Sequence, residues 1–298
     1  MKLTKNKLRA SGKLMLFGEY TVLRGSESLA FPLTFGQDLE VQPHPTTNWK
    51  SYDRNHCWFE ASFDENLDLV STNDPAAGKI LSNLFKFIRS KKPEVNFSYS
   101  FKTTADFDLN WGLGSSSTLI SLLSQWSGCN AYEMLAASFG GSGYDVACAN
   151  AKSPIIFSKE SHQIEEVQLN PAITNQMLFV YLGKKQNSRD EIKRFKTSEV
   201  TEKHIQSINK IIRQTVDCED IDNFEQLIEN AERLISPIIG KERLKQHIFA
   251  DYTHSIKSLG AWGGDFFLAT YRDLNAAKEY FTSKGFTTMF TYNELILK

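Results

Sequence analysis

Cysteine is scarce in this chain of 298 residues, and the four present, Cys57, Cys129, Cys148 and Cys218, stand far apart with no C-x-x-C pair. Their spacing excludes a disulfide framework and a thiolate zinc site, so they read as reduced, packed thiols. Long apolar runs are missing too. No stretch approaches the roughly 18 to 20 residues that cross a bilayer as a helix, and Met1–Leu8 is too rich in lysine to serve as a signal peptide. The chain therefore reads as cytoplasmic, with no membrane partner. An excess of one charge is also lacking: 34 Lys+Arg stand against 35 Asp+Glu. That balance leaves no global field for a polyanion, and the basic residues do not alternate with aromatics along a stripe, which disfavours a nucleic-acid partner. Six histidines form no H-x-x-x-H or H-E-x-x-H pattern, and no G-x-S-x-G elbow accompanies them, so metalloprotease and serine-hydrolase chemistry lose their footing.

What remains is an ordinary folding composition, 41% hydrophobic and 23% charged, in a chain long enough for two packed domains. The first half reads as strands and helices in alternation. Strands are expected within Leu8–Tyr20, Gln37–Gln42, Cys57–Phe63 and around Phe97–Phe101, and a helix opening at Asn73-Asp74-Pro75 and ending near Pro93. Shorter helices follow Ser117 and span Tyr132–Phe139. Pro154–Phe157, Ile164–Leu169 and Met177–Leu182 read as strands. Beyond about residue 170 the pattern turns helical, with amphipathic segments at Ser188–Val216, Ile221–Ile235 and Lys241–Leu259. A strand at Asp265–Tyr271, a helix at Asn275–Phe281 and one or two strands in Phe286–Leu297 close the chain. The expected organisation is α+β, with a domain over residues 1–170 and a second over 171–298.

The densest chemical signal is Gly112-Leu113-Gly114-Ser115-Ser116-Ser117, directly before the helical spacing of Leu119, Ile120, Leu122, Leu123 and Trp126. Glycines let a backbone approach a ligand, and a helix start offers free N–H groups and a positive dipole end. Serine hydroxyls can donate to phosphate oxygens or hold Mg²⁺. The segment matches neither the Walker nor the Rossmann pattern, and taken alone it also fits a glycine turn with a serine cap. Lys13, inside a run ending Leu-Met-Leu-Phe, calls for a carboxylate or phosphate partner unless its strand lies at an edge. Asp145 follows Gly141-Ser142-Gly143 as an acid on a glycine turn, where a helix cap is the plain alternative. Lys257–Asp265 places three glycines between a helical and a strand-like segment.

In this order the four stretches resemble the GHMP kinase superfamily, the family of galactokinase, homoserine kinase, mevalonate kinase and phosphomevalonate kinase. Gly12-Lys13 through Leu23 looks like its first motif, Gly112–Ser117 like its phosphate loop, Ser142–Asp145 like its catalytic-aspartate motif and Leu259–Asp265 like its C-terminal glycine loop. The resemblance implies a ribosomal protein S5 domain 2-like N-terminal domain, a ferredoxin-like C-terminal domain, and an ATP- and Mg²⁺-dependent kinase acting on a small alcohol. It also implies roles. Asp145 takes the acceptor's proton and Lys13 steadies that carboxylate. Gly112, Leu113, Gly114, Ser115, Ser116 and Ser117 hold the nucleotide phosphates, with Ser116 touching the metal. Glu19, Tyr20, Ser142, Arg189 and Gly260 face the acceptor.

Gly18-Glu19-Tyr20 and Gly263-Gly264-Asp265 look more like phosphomevalonate kinase than mevalonate kinase, placing the chain in the mevalonate route to isoprenoid precursors. A cation cluster at Lys184, Lys185, Arg189, Lys193 and Arg194 suits a phosphorylated acceptor, or else a solvated helix start. Mevalonate kinase and a non-catalytic ligand-binding regulator are the alternatives, and a homodimer is compatible with the family. Three positions depart from its pattern. Leu109-Asn110-Trp111 replaces a proline, Trp262 stands where a small residue is usual, and Met134 falls where mevalonate kinases carry a second metal ligand.

Overall fold

The computed structural model describes residues 7–54, 56–183, 195, 200–262 and 264–298. They form two compact units, neither continuous in sequence. The first takes its described residues from Met1–Gly12, Phe35–Leu109 and Leu113–Asn150, and the second from Lys13–Thr34, Asn110–Gly112 and Ala151–Lys298. Strands β1 (Lys7–Phe17) and β2 (Glu27–Pro43) pair with each other and contribute residues to both units.

In the first unit the later part of β2 pairs antiparallel with β6 (Tyr99–Ala105), and β6 pairs parallel with β3 (Thr47–Asp53). β4 (His56–Phe63) and β5 (Leu69–Thr72) complete the sheet as antiparallel neighbours. Helix α1 (Pro75–Lys91) opens as its sequence dictates: Asp74 accepts from Ala76 N and Ala77 N at 3.0 and 3.1 Å, Pro75 needs no donor, and Arg89 and Lys91 occupy the negative end. Its apolar face buries Leu81, Leu84, Phe85 and Ile88 against the sheet's aromatics. Phe101 lies at the centre, its ring 5.4 Å from Trp49, 5.2 Å from Phe85 and 4.8 Å from Trp126. Helices α2 (Ser115–Ser127), α3 (Ala131–Ala137) and α4 (Tyr144–Asn150) close this core.

In the second unit β7 (Ile155–Ser158) pairs with Glu27–Ala30 of β2 and with β8 (Gln163–Glu166). After the short helix α5 (Pro171–Thr174), β9 (Met177–Tyr181) enters a four-stranded antiparallel sheet. Helix α6 (Glu202–Val216) opens with a capping box at Thr201 and His204, and α7 (Ile221–Ile239) stops at Gly240 in the left-handed region. The sheet runs β10 (Ile256–Ser258), β11 (Phe266–Thr270), β9, β12 (Met289–Thr291), with α8 (Leu244–His247), α9 (Leu274–Ser283) and α10 (Tyr292–Leu295) between or after its strands. Phe249, Phe267 and Phe281 fill its core, with Phe249 and Phe267 rings 4.9 Å apart.

Two expectations are corrected here. Lys241–Leu259 is not one amphipathic helix: only α8 is helical, and Ile256–Ser258 pairs with Phe267–Ala269 of β11. Its apolar spacing is satisfied by sheet pairing that no local window reveals. Phe286–Leu297 holds one short strand and then α10, which turns at the capping box of Thr291 and Glu294. The start of the expected helix at Ser188–Val216 lies outside the described residues. No helix among the described residues is long and apolar enough to cross a membrane.

Candidate active site

The glycine-serine segment forms the helix start its composition implies. Gly112 and Gly114 sit at φ 69° and 97°, and Gly114 is the N-cap of α2. Gly114 makes no side-chain cap hydrogen bond, so the opening turn at Ser115 and Ser116 lacks the capping acceptor that a serine or aspartate N-cap would supply. Leu113 is fully buried, while Ser115 and Ser116 are half-buried. Ser117 turns inward, and its hydroxyl donates to Gly114 O at 2.8 Å. Thr118 Oγ1 donates to Gln37 Oε1 at 2.9 Å, tying the first turn of α2 to β2.

Asp145 lies in the first turn of α4, half-buried, behind a chain of left-handed glycines at 140, 141 and 143. Ser142 is buried beside them. Helix α4 packs on α2, and the two are cross-linked where Ser121 Oγ donates to Asn150 Oδ1 at 2.7 Å. The first unit thus holds the helix that the glycine-serine segment opens and the helix carrying Asp145 as one packed pair. Burial, and then the negative charge of Asp145, push the Tyr132 phenol above its ordinary range. Glu133, one position from the expected second metal ligand, pairs instead with Lys91 at 2.8 Å, and Met134 is fully buried.

In the second unit Lys13 is half-buried and its ammonium donates to Gly112 O at 3.3 Å. The turn after β1 depends on Gly18, at φ 97°, where a Cβ would come within 2.7 Å of Ser28 Cα. It carries Glu19 and Tyr20 inward. Tyr20 Oη donates to Ala261 O at 2.8 Å and its ring lies 4.9 Å from Phe195. Glu19 pairs with Lys257 and accepts from Trp262 Nε1 at 3.0 Å. Gly260, at φ 59°, belongs to the same loop as Ala261 and Trp262. The first and last sequence motifs are therefore one hydrogen-bonded assembly. Arg189 and its neighbouring cations lie outside the described residues.

Neither a protein-family model nor a curated protein matches the chain. Solved structures do. The chain is similar to Methanococcus jannaschii mevalonate kinase at TM-score 0.71 and 14% identity, covering 100% of both chains. It is similar to Streptococcus pneumoniae phosphomevalonate kinase in complex with phosphomevalonate and AMPPNP at TM-score 0.71 and 15% identity, covering 96% of this chain and 99% of that one. Similarity extends to the mevalonate pyrophosphate decarboxylase of Streptococcus pyogenes, at TM-score 0.61 and 12% identity, covering 98% and 96%. The chain has the GHMP kinase fold.

Within the GHMP kinase fold, the four motifs read from the sequence occupy a helix start, a helix-opening aspartate and two interlocked loops. Sequence reasoning missed Glu232 and Lys241, and it placed Lys257 at the head of the last glycine stretch without a role. Lys257 carried the signal that marked Lys13, a lysine in an apolar strand, but its partners lie far along the chain. Trp262 was noted only as a departure. In the structure it is 2% exposed at φ 53°, and its indole N–H reaches Glu19.

Proposed function

We propose that this chain is an ATP-dependent kinase that transfers the γ-phosphoryl group to the hydroxyl of a small acceptor, with phosphomevalonate favoured and mevalonate the alternative. The observation that carries the reading is the packed pair of α2 and α4: a helix start with free N–H groups beside a helix that opens on a half-buried aspartate. Phosphoryl transfer needs mainly positioning and charge neutralisation, together with a group to take the hydroxyl proton. N–H groups of residues 112–117 hold the β- and γ-phosphates. Asp145 accepts the proton from the acceptor hydroxyl, and Lys13 steadies the ionised carboxylate. A pure ligand-binding regulator has no use for that aspartate.

Among the described residues no three His, Cys, Asp or Glu side chains gather to hold a metal. Ser116, half-buried in the opening turn of α2, offers a hydroxyl oxygen, and Mg²⁺ is commonly held by one or two protein ligands with substrate phosphates and water completing its shell. Ser116 would hold it with the nucleotide phosphates, and bound there it supplies neutralisation of phosphate charge.

ADP release over mevalonate, phosphomevalonate, mevalonate diphosphate, galactose and homoserine tests the reading. Turnover with phosphomevalonate supports it, turnover with mevalonate alone selects the alternative, and no ADP above background with any of them overturns the kinase assignment.

A further inference from the structure

The second unit buries three charged side chains in one cluster. Lys257, Glu19 and Glu232 are 0%, 3% and 1% exposed. Lys257 Nζ pairs with Glu19, lies 3.3 Å from Glu232 Oε1 and donates to Ser258 O at 2.6 Å. The rings of Phe17 and Trp262 flank the ammonium at 5.8 and 5.3 Å. Glu232 Oε1 accepts from Ser258 N at 2.9 Å, and its Oε2 lies 3.1 Å from Ser258 Oγ. Among the described residues Glu19 Oε2 has no hydrogen-bond partner.

Two carboxylates against one ammonium leave a net negative charge if all are ionised, and an uncompensated charge in the interior costs several kcal/mol. One proton removes it. Ser258 Oγ, which donates to Glu232 Oε2 when that carboxyl is ionised, can reverse and accept a proton held there, since a hydroxyl serves as donor or acceptor, and this places the proton on Glu232. Burial is the largest cause holding the Glu232 carboxyl up at about 7; Lys257 opposes it and the charge of Glu19 adds to it. The other elements packed on α7 bring no further charge into their buried positions, which are Ile208, Ile211, Ile212 and Thr215 of α6 and Ile173 and Thr174 of α5.

The cluster sits where two loops meet. Glu19 and Tyr20 come from the turn after β1, and Ala261 and Trp262 from the loop after β10, which Lys241 Nζ also holds through Ala261 O and Trp262 O, both at 2.9 Å. We propose that Lys257 and Glu232 are positioning residues: with Glu19 they form a buried cluster carrying one proton, which pins the turn Gly18–Tyr20 to the loop Leu259–Trp262 in the geometry that binds the acceptor. This rests on the kinase reading, which places Glu19, Tyr20 and Gly260 on the acceptor side. Loss of the proton above neutrality leaves excess negative charge beside Glu19 and loosens the pin.

Glu232→Gln keeps the side chain's shape and fixes it as neutral. In the wild type the acceptor KM, measured with phosphomevalonate or whichever panel alcohol turns over, should rise at least about fivefold from pH 6 to pH 8 while the ATP KM stays level. Glu232→Gln should hold the acceptor KM near its pH 6 value throughout. Indole fluorescence should show a step near pH 7 in the wild type that is absent from both Glu232→Gln and Trp262→Phe. Parallel profiles in the wild type and Glu232→Gln overturn the proposal, and so does a fluorescence step unaccompanied by any change in acceptor KM. No ADP with any acceptor fails the kinase reading instead, and the fluorescence comparison still decides whether the pin follows Glu232. If Glu232→Gln does not fold, the wild type against Trp262→Phe decides, and a wild type without a step near pH 7 overturns the proposal.

Discussion

The carboxyl group of Asp265 occupies the space that a side chain at Gly112 would need. Asp265 is buried at the end of the C-terminal glycine loop, and Gly112, at φ 69°, opens the glycine-serine loop. Replacing the glycine therefore incurs both left-handed strain and a steric conflict. Gly112→Ala should cost roughly 2 to 5 kcal/mol of stability, read from urea unfolding. A loss below about 0.5 kcal/mol, the range of surface substitutions, would contradict the close approach.

Asp145→Asn separates catalysis from capping. Asparagine is nearly isosteric and can still open a helix, so a purely structural aspartate predicts almost normal turnover. The proton-acceptor role predicts that ATP and acceptor still bind while kcat falls by roughly 10² to 10⁴. Steady-state kinetics with a thermal melt as the folding control distinguish the two.

Stability should depend on pH through Glu232. Its folded carboxyl titrates at about 7 against an ordinary 4.5, so between those values the native state holds a proton that the unfolded chain has released. Stability is then highest at the acid end of this window and falls as pH rises through it, by up to about 1.4 kcal/mol per pH unit, levelling above 7. Glu232→Gln should flatten that slope in denaturant melts taken from pH 5 to 8. A wild-type slope of the opposite sign, after subtraction of the Gln variant, would remove the proton from Glu232.

Arg189 tests the acceptor's charge. If the acceptor carries a phosphate, Arg189→Ala should raise its KM by the equivalent of about 1.5 to 3 kcal/mol of charge-assisted hydrogen bonding, with the ATP KM little changed. Equal effects on both substrates, or none, would return the cluster to a solvated surface.

Much of the architecture was legible because its determinants are local. Asp74-Pro75 and the apolar spacing through Ile88 specify α1 from within their own window, and Gly114 followed by three serines specifies a helix start wherever that segment lies. Asp145 stood out for the same reason, as an acid two positions past the last glycine of a turn.

Other features depend on residues distant in sequence. Ile256–Ser258 is a strand because β11 pairs with it, and the amphipathic spacing around it gave no sign of that partner. The compact units divide the chain at several points, whereas the change of pattern near residue 170 suggested one boundary. Lys257 meets Glu19 across 238 positions, and Glu232 joins them from a third element. Periodicity, caps and glycine turns are set by neighbours within a few residues, and these the sequence determined by itself. Which buried charges meet, and which of them keeps a proton, follows from desolvation and approach across the fold, and only the tertiary structure decided it.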